Sequence, residues 1–107
     1  MTEKETAQRE IAALLRKKYA NLTTLMNLLG WRMEIAPAQD GIGSFVKYLS
    51  PENELLIMVD DLDKSFRLLE RKKDMLNTLY YYCIHPSIRT VSHLLSALED
   101  RGYKLIK

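Results

Sequence analysis

Three side chains in this chain could ligate a soft metal, Cys83, His85 and His93. A structural zinc site takes four ligands in a tetrahedral array, so this set falls short, and neither a metal nor a cofactor is expected. Cys83 reads instead as a small apolar residue at the end of an element, His85 as a turn residue ahead of Pro86, and His93 as an exposed helix residue. Asp60, Asp61 and Asp63 are clustered, but where they would cap a helix and suit its positive end. Gly41-Ile42-Gly43 is followed by no helix and so cannot cradle a phosphate. Nor does any pattern place a base against a serine or cysteine nucleophile. The expectation is a protein that binds and does not catalyse.

Binding chemistry has two candidate sources. Tyr80-Tyr81-Tyr82 on a helix would span about 200 degrees, so at least one ring must lie outside the core, where it could anchor a protein interface or stack on a base. Lys64, Arg67, Arg71 and Lys72 fall mostly off the apolar stripe of the same stretch and form a basic face. Residues 1–60 hold 7 Lys/Arg against 8 Asp/Glu, whereas residues 61–107 hold 9 against 6. The positive excess belongs to the second half, which modestly favours an anionic partner there.

The elements that must position these groups follow from periodicity. Ala7, Ile11, Leu14, Leu15 and Tyr19 repeat at helical steps over Glu3 to Tyr19, and a shorter helix runs from Leu22 to Leu29, capped by Asn21 and stopped by Gly30. Trp31 to Ile35 alternates apolar and charged residues as a strand does, Pro37 to Gly43 is a loop, and Ser44 to Leu49 alternates again. Pro51-Glu52-Asn53 makes a turn before an apolar strand, Leu55 to Val59. Leu62, Phe66, Leu69, Leu76, Leu79 or Tyr80, and Cys83 predict a long helix from Asp61 to about Cys83, ended by Pro86. Ile88, Val91, Leu94, Leu95 and Leu98 predict a last helix capped by Ser87 and ended by Gly102, then a short strand, Tyr103 to Ile106. The predicted fold is one α+β domain over 1–107: two N-terminal helices, a small antiparallel sheet of three strands, a long helix, a final helix and a C-terminal strand.

Two stretches echo each other. Asn21 to Ile35 and Ser87 to Ile106 both run through a polar cap, a threonine, a Leu-Leu helix, glycine, an aromatic residue and a basic-apolar segment. The helix lengths differ, which points to a shared local solution rather than a duplication.

Thr90 to Tyr103, TVSHLLSALEDRGY, resembles the recognition helix and following strand of winged-helix regulators. The resemblance implies that Ser87, Arg89, Thr90, Ser92, His93 and Ser96 face a DNA groove. Leu14 to Ile35 is similar to the back half of a Cro/repressor-type helix-turn-helix. Both motifs are truncated, since the winged helix lacks its intermediate helix and the repressor-type motif its preceding helices.

The expected function is therefore a small protein-binding module, an inhibitor or adaptor of the kind a phage or mobile element encodes. It would use the surface of its two C-terminal helices, with Lys64, Arg67, Arg71, Lys72, Tyr81, Tyr82, Arg89, Thr90, Ser92, His93 and Ser96 as contacts. The alternative is a helix-turn-helix-like DNA-binding transcriptional regulator. A homodimer is compatible with either. No apolar run is long enough to span a bilayer and the charged start MTEKETAQRE has no secretion-signal core, so a cytoplasmic protein without a membrane partner is expected.

Overall fold

Glu3 and Glu5 at one end and Arg16, Lys17 and Lys18 at the other complement a helix dipole, and the first element, α1, is Glu3–Lys18. The structure, a computed structural model, describes residues 3–37, 44–61 and 63–103. Helix α2, Ala20–Leu28, follows after the single residue Tyr19 and buries Leu22 and Met26. Strands β1 (Arg32–Pro37), β2 (Ser44–Leu49) and β3 (Leu55–Asp60) match the three predicted strand segments, with β1 starting one residue late and running through Pro37, which was expected as loop.

The stretch predicted as a long helix from Asp61 to Cys83 is a β-hairpin instead: β4, Ser65–Lys73, and β5, Leu79–Ile88. The sheet therefore has five strands rather than three, in the order β1-β2-β3-β4-β5, each antiparallel to the next. Phe66 and Leu68 alternate with Arg67 and Leu69, which satisfies a strand as well as Phe66 and Leu69 satisfy a helix. Turn chemistry decides between them. Asp74 accepts from the N–H groups of Leu76 at 2.8 Å and Thr78 at 2.9 Å, and Asn77 takes a left-handed conformation, φ 65°. Asn tolerates that conformation and an Asp side chain mimics a turn of backbone, so the two close the hairpin. Asn53 and Lys64, also left-handed, sit in the turns before β3 and β4.

Pairing register divides the sheet into two faces. Met33, Tyr48, Ile57, Leu68 and His85 form one row, with Val59 and Phe66 in another row of the same face. This face meets the helices. Leu15, Leu22 and Met26 pack with Val46, Tyr48, Ile57, Val59, Phe66 and Leu68 in the core. Among the described residues no helix packs on the opposite face, which holds Arg32, Leu49, Leu56, Leu69 and Cys83 in one row and Glu34, Lys47, Met58 and Arg67 in the next.

Helix α3 is Val91–Glu99, shorter than predicted. Ser87 lies in β5, and Thr90 caps the helix by accepting from the N–H of His93 at 3.0 Å. Leu94 and Leu98 are buried as the periodicity predicts, Ala97 is buried beside them, Leu95 is half-buried and Val91 is exposed. Pro86 does not end a helix. It sits in an edge strand, where its missing N–H costs no ladder bond, beside register slips that leave Ile84 unopposed. Of the predicted C-terminal strand, Tyr103 is irregular and residues 104–106 lie outside the described residues.

The echo between the two halves has a geometric counterpart. After α2, Gly30 has φ 81°, its N–H donates to Asn27 O, and Trp31 N–H donates to Met26 O. After α3, Gly102 has φ 90°, its N–H donates to Glu99 O, and Tyr103 N–H donates to Leu98 O. Both are Schellman ends, which need a residue free to adopt positive φ. The two aromatic residues that follow meet edge to face, with ring centroids 5.4 Å apart.

Candidate functional site

Beyond Glu70, the last β4 residue paired to β3, the hairpin carries on without β3 beside it. Lys72 pairs with Tyr80 and Lys73 with Leu79 along this arm, and the turn Asp74 to Thr78 closes it. The arm concentrates the large exposed apolar side chains of the described residues: Met75 is 99% exposed, Leu76 86%, Leu79 55%, Tyr82 54% and Tyr80 44%. Such a group is costly to leave in water and is the composition of an interface core.

Strand geometry sorts the tyrosine run in a way a helix could not. Tyr80 and Tyr82 lie in rows of the helix-bearing face with Lys72 and Glu70, and Tyr81 lies on the bare face opposite Arg71. Lys72 Nζ stands 5.4 Å from the Tyr82 ring centroid, a cation held over an aromatic face. Tyr81 is half-buried and its hydroxyl donates to Asn53 O at 2.9 Å, which pins the base of the arm to the turn before β3. Of the expected aromatic contacts, Tyr82 is thus presented to solvent and Tyr81 is largely structural.

The four cations read as one basic face are separated. Arg67 and Arg71 point from the bare face, Lys72 from the other, and Lys64 occupies the left-handed turn position at the far end of β4. Lys64 and Arg89 instead line one cleft of about 340 Å³ with Lys18, over Tyr19, Val59, Phe66 and Val91. Two of these cations are committed. Lys18 pairs with Asp61 at 2.6 Å, and Arg89 reaches Asp63 O at 3.0 Å and Asp63 Oδ1 at 3.5 Å. Hydrogen bonds from Lys18 and Tyr19 hold the Asp61 carboxyl below its usual range, while burial and then Asp61 push the Tyr19 hydroxyl upward. These contacts tie α1 to the turn before β4.

Ser92, His93 and Ser96 are exposed on α3, well apart in sequence and element from the arm, and Thr90 is occupied as a cap. Cys83 and His85 are half-buried on β5. Among the described residues no three His, Cys, Asp or Glu side chains are grouped so as to hold a metal ion, and no helix is long and apolar enough to cross a membrane.

No protein-family model, curated protein or solved structure matches the chain.

Sequence reasoning took Leu76 and Leu79 into a helix stripe and so missed them as surface residues, did not single out Met75, and left open which of Tyr80, Tyr81 and Tyr82 is exposed. The signal that could have found them is the spacing Asp74-Met75-Leu76-Asn77, in which two turn-forming residues bracket two apolar ones.

Proposed function

We propose that the protein is a non-enzymatic protein-binding module, an inhibitor or adaptor, whose docking element is the β4–β5 arm. One observation carries this: Met75, Leu76, Leu79, Tyr80 and Tyr82 stand together in solvent on a projecting hairpin. Exposed aromatic, leucine and methionine side chains gathered on one arm favour a protein partner over a nucleic acid. Lys72 and Lys73 at its flank suit acidic groups at the partner's rim. The surface differs from the one expected from two C-terminal helices, because the first of those helices is the hairpin.

DNA binding is the second reading. It draws on Arg67, Arg71, Lys72 and Lys73, none of which appears in an ion pair among the described residues. A recognition-helix mode has less support, since Val91–Glu99 contains no Lys or Arg and the neighbouring Arg89 and Arg101 are paired with Asp63 and Glu70.

The test is stoichiometric capture of a protein partner from the native host by three forms of the chain: wild type, Met75→Ser/Leu76→Ser, and Ser92→Asp/Ser96→Asp. The wild type and the α3 variant are expected to hold the same partner, and the arm variant to lose it with its unfolding midpoint in urea unchanged. Retention by the arm variant, or loss only in the α3 variant, contradicts the assignment. Salt-sensitive DNA binding without a protein partner supports the second reading.

A further inference from the structure

Resting on the arm as the docking element, we infer that a partner it fits is a second copy of this chain, added strand to strand along Leu79–Cys83 of β5. The direction of the backbone groups is fixed by two hydrogen bonds. Arg71 N–H donates to Glu54 O at 2.7 Å, towards β3, and Asp74 N–H donates to Thr78 O at 3.0 Å, across the hairpin. In an antiparallel pair, hydrogen-bonded and non-hydrogen-bonded positions alternate, and each residue aims both its N–H and its C=O to the same side. Tyr80 and Tyr82 therefore bond to β4, while Leu79, Tyr81 and Cys83 aim their backbone groups outward from the last strand of the sheet.

Natural sheets blunt such an edge with proline, charge or bulges. The second half of β5 has those features, Pro86 and the register slips around Ile84. The first half, Leu-Tyr-Tyr-Tyr-Cys, has no charge and no proline and stays in even register with β4. An edge guarded in one half and open in the other limits strand addition to these five residues.

The open stretch is self-complementary. Antiparallel pairing about a two-fold axis at Tyr81 sets Tyr81 against Tyr81 of the second copy and Leu79 against its Cys83, so all the outward groups find partners. On the helix-bearing face, each row across the junction then runs Lys72, Tyr80, Tyr82 of the second copy, Glu70 of the second copy, with opposite charges at the two ends. The exposed Leu79, Tyr80 and Tyr82 each gain an apolar or aromatic neighbour. On the bare face the two Arg71 side chains are three strand spacings apart, about 14 Å, beyond the screening length at ordinary salt. The turn residues Met75 and Leu76 continue towards the bulged Ile84–Pro86 segment of the second copy, outside the paired stretch.

The register makes a covalent test available. Leu79 and Cys83 of one chain are about 13 Å apart along the strand, too far for a disulfide, whereas Leu79 of one copy faces Cys83 of the other. Under mild oxidation Leu79→Cys is expected to form a covalent dimer that Cys83→Ser in the same chain abolishes, and Tyr80→Cys is expected to form none. Sedimentation velocity of the reduced full chain, from low micromolar to submillimolar concentration, should show a monomer–dimer equilibrium. Leu79→Lys and Tyr81→Pro should each weaken it roughly tenfold or more. Tyr81→Pro removes the outward N–H together with the hydroxyl bond to Asn53 O, so Leu79→Lys, which leaves that bond in place, decides the matter if the proline variant does not fold. A wild-type monomer at every concentration, or covalent dimers that survive loss of Cys83, overturns the inference. Neither result touches the arm as a docking element, which stands or falls with the Met75→Ser/Leu76→Ser capture.

Discussion

Asp61 shows how a single side chain braces this fold away from the arm. It accepts from Lys18 and Tyr19 at the end of α1, and both bonds hold its carboxyl below the ordinary range. A depressed folded-state value means that the contribution to stability is present above the unfolded value, about 3.9, and is lost as pH falls through the folded one. The Lys18–Asp61 pair is half exposed, so its worth is modest, about 0.2–1 kcal/mol. Asp61→Asn is expected to lower stability by that order at neutral pH. In urea unfolding the gap should narrow as pH falls below about 4. A gap that is constant with pH would show that the charge on Asp61 plays no part. The tyrosines give the complementary lesson at this scale. Three identical residues in sequence have different environments because a strand alternates its faces: Tyr81 is bonded to Asn53, and Tyr80 and Tyr82 are left to solvent.

At the scale of elements, the two Schellman ends should answer differently to the same change. An added Cβ at Gly30 would lie 3.2 Å from Pro51 Cγ, whereas at Gly102 it would meet nothing within 4 Å. Gly102→Ala is expected to cost about 1–2 kcal/mol from the left-handed backbone alone, and Gly30→Ala more than that. Chemical denaturation measures both, and equal costs would remove the Pro51 contact from the account. Both helix ends were legible in the sequence because glycine followed by an aromatic residue after a Leu-Leu helix has few other uses. The first three strands were legible too, since Met33 and Ile35, Phe45 to Leu49 and Leu55 to Val59 keep to period two or to one short apolar run. The β4–β5 hairpin was not. Phe66, Leu69, Leu76 and Leu79 fall at near-helical steps, yet Leu76 is in a turn and Leu79 is exposed, so the apolar period belonged partly to surface. Local pattern and tertiary role disagree where a protein leaves apolar groups uncovered, and this conflict coincides with the proposed docking element. The same misreading gathered the cations onto one face, since Lys64 and Lys72 share a face only if the segment is a helix.

At the scale of the whole molecule, the helices among the described residues cover one face of the five-stranded meander and none covers the other. Its extents are 43 × 41 × 23 Å, a flat body with an arm at the end of its last hairpin. Its two edges differ. The β1 edge carries Pro37, while the first half of β5 carries neither proline nor charge. That asymmetry unites the corrected fold, the exposed apolar tip and the strand-to-strand pairing, and it can be read one amide at a time. Residue-resolved hydrogen exchange over 79–83 in dilute protein should give an alternating pattern. The amides of Tyr80 and Tyr82 should be slow because they bond to β4, and those of Leu79, Tyr81 and Cys83 fast. Raising the concentration to the dimer range should slow the fast set alone. Uniform protection across the five residues, or outward amides that stay fast at every concentration, would contradict an arm built as an open-edged hairpin that docks through β5.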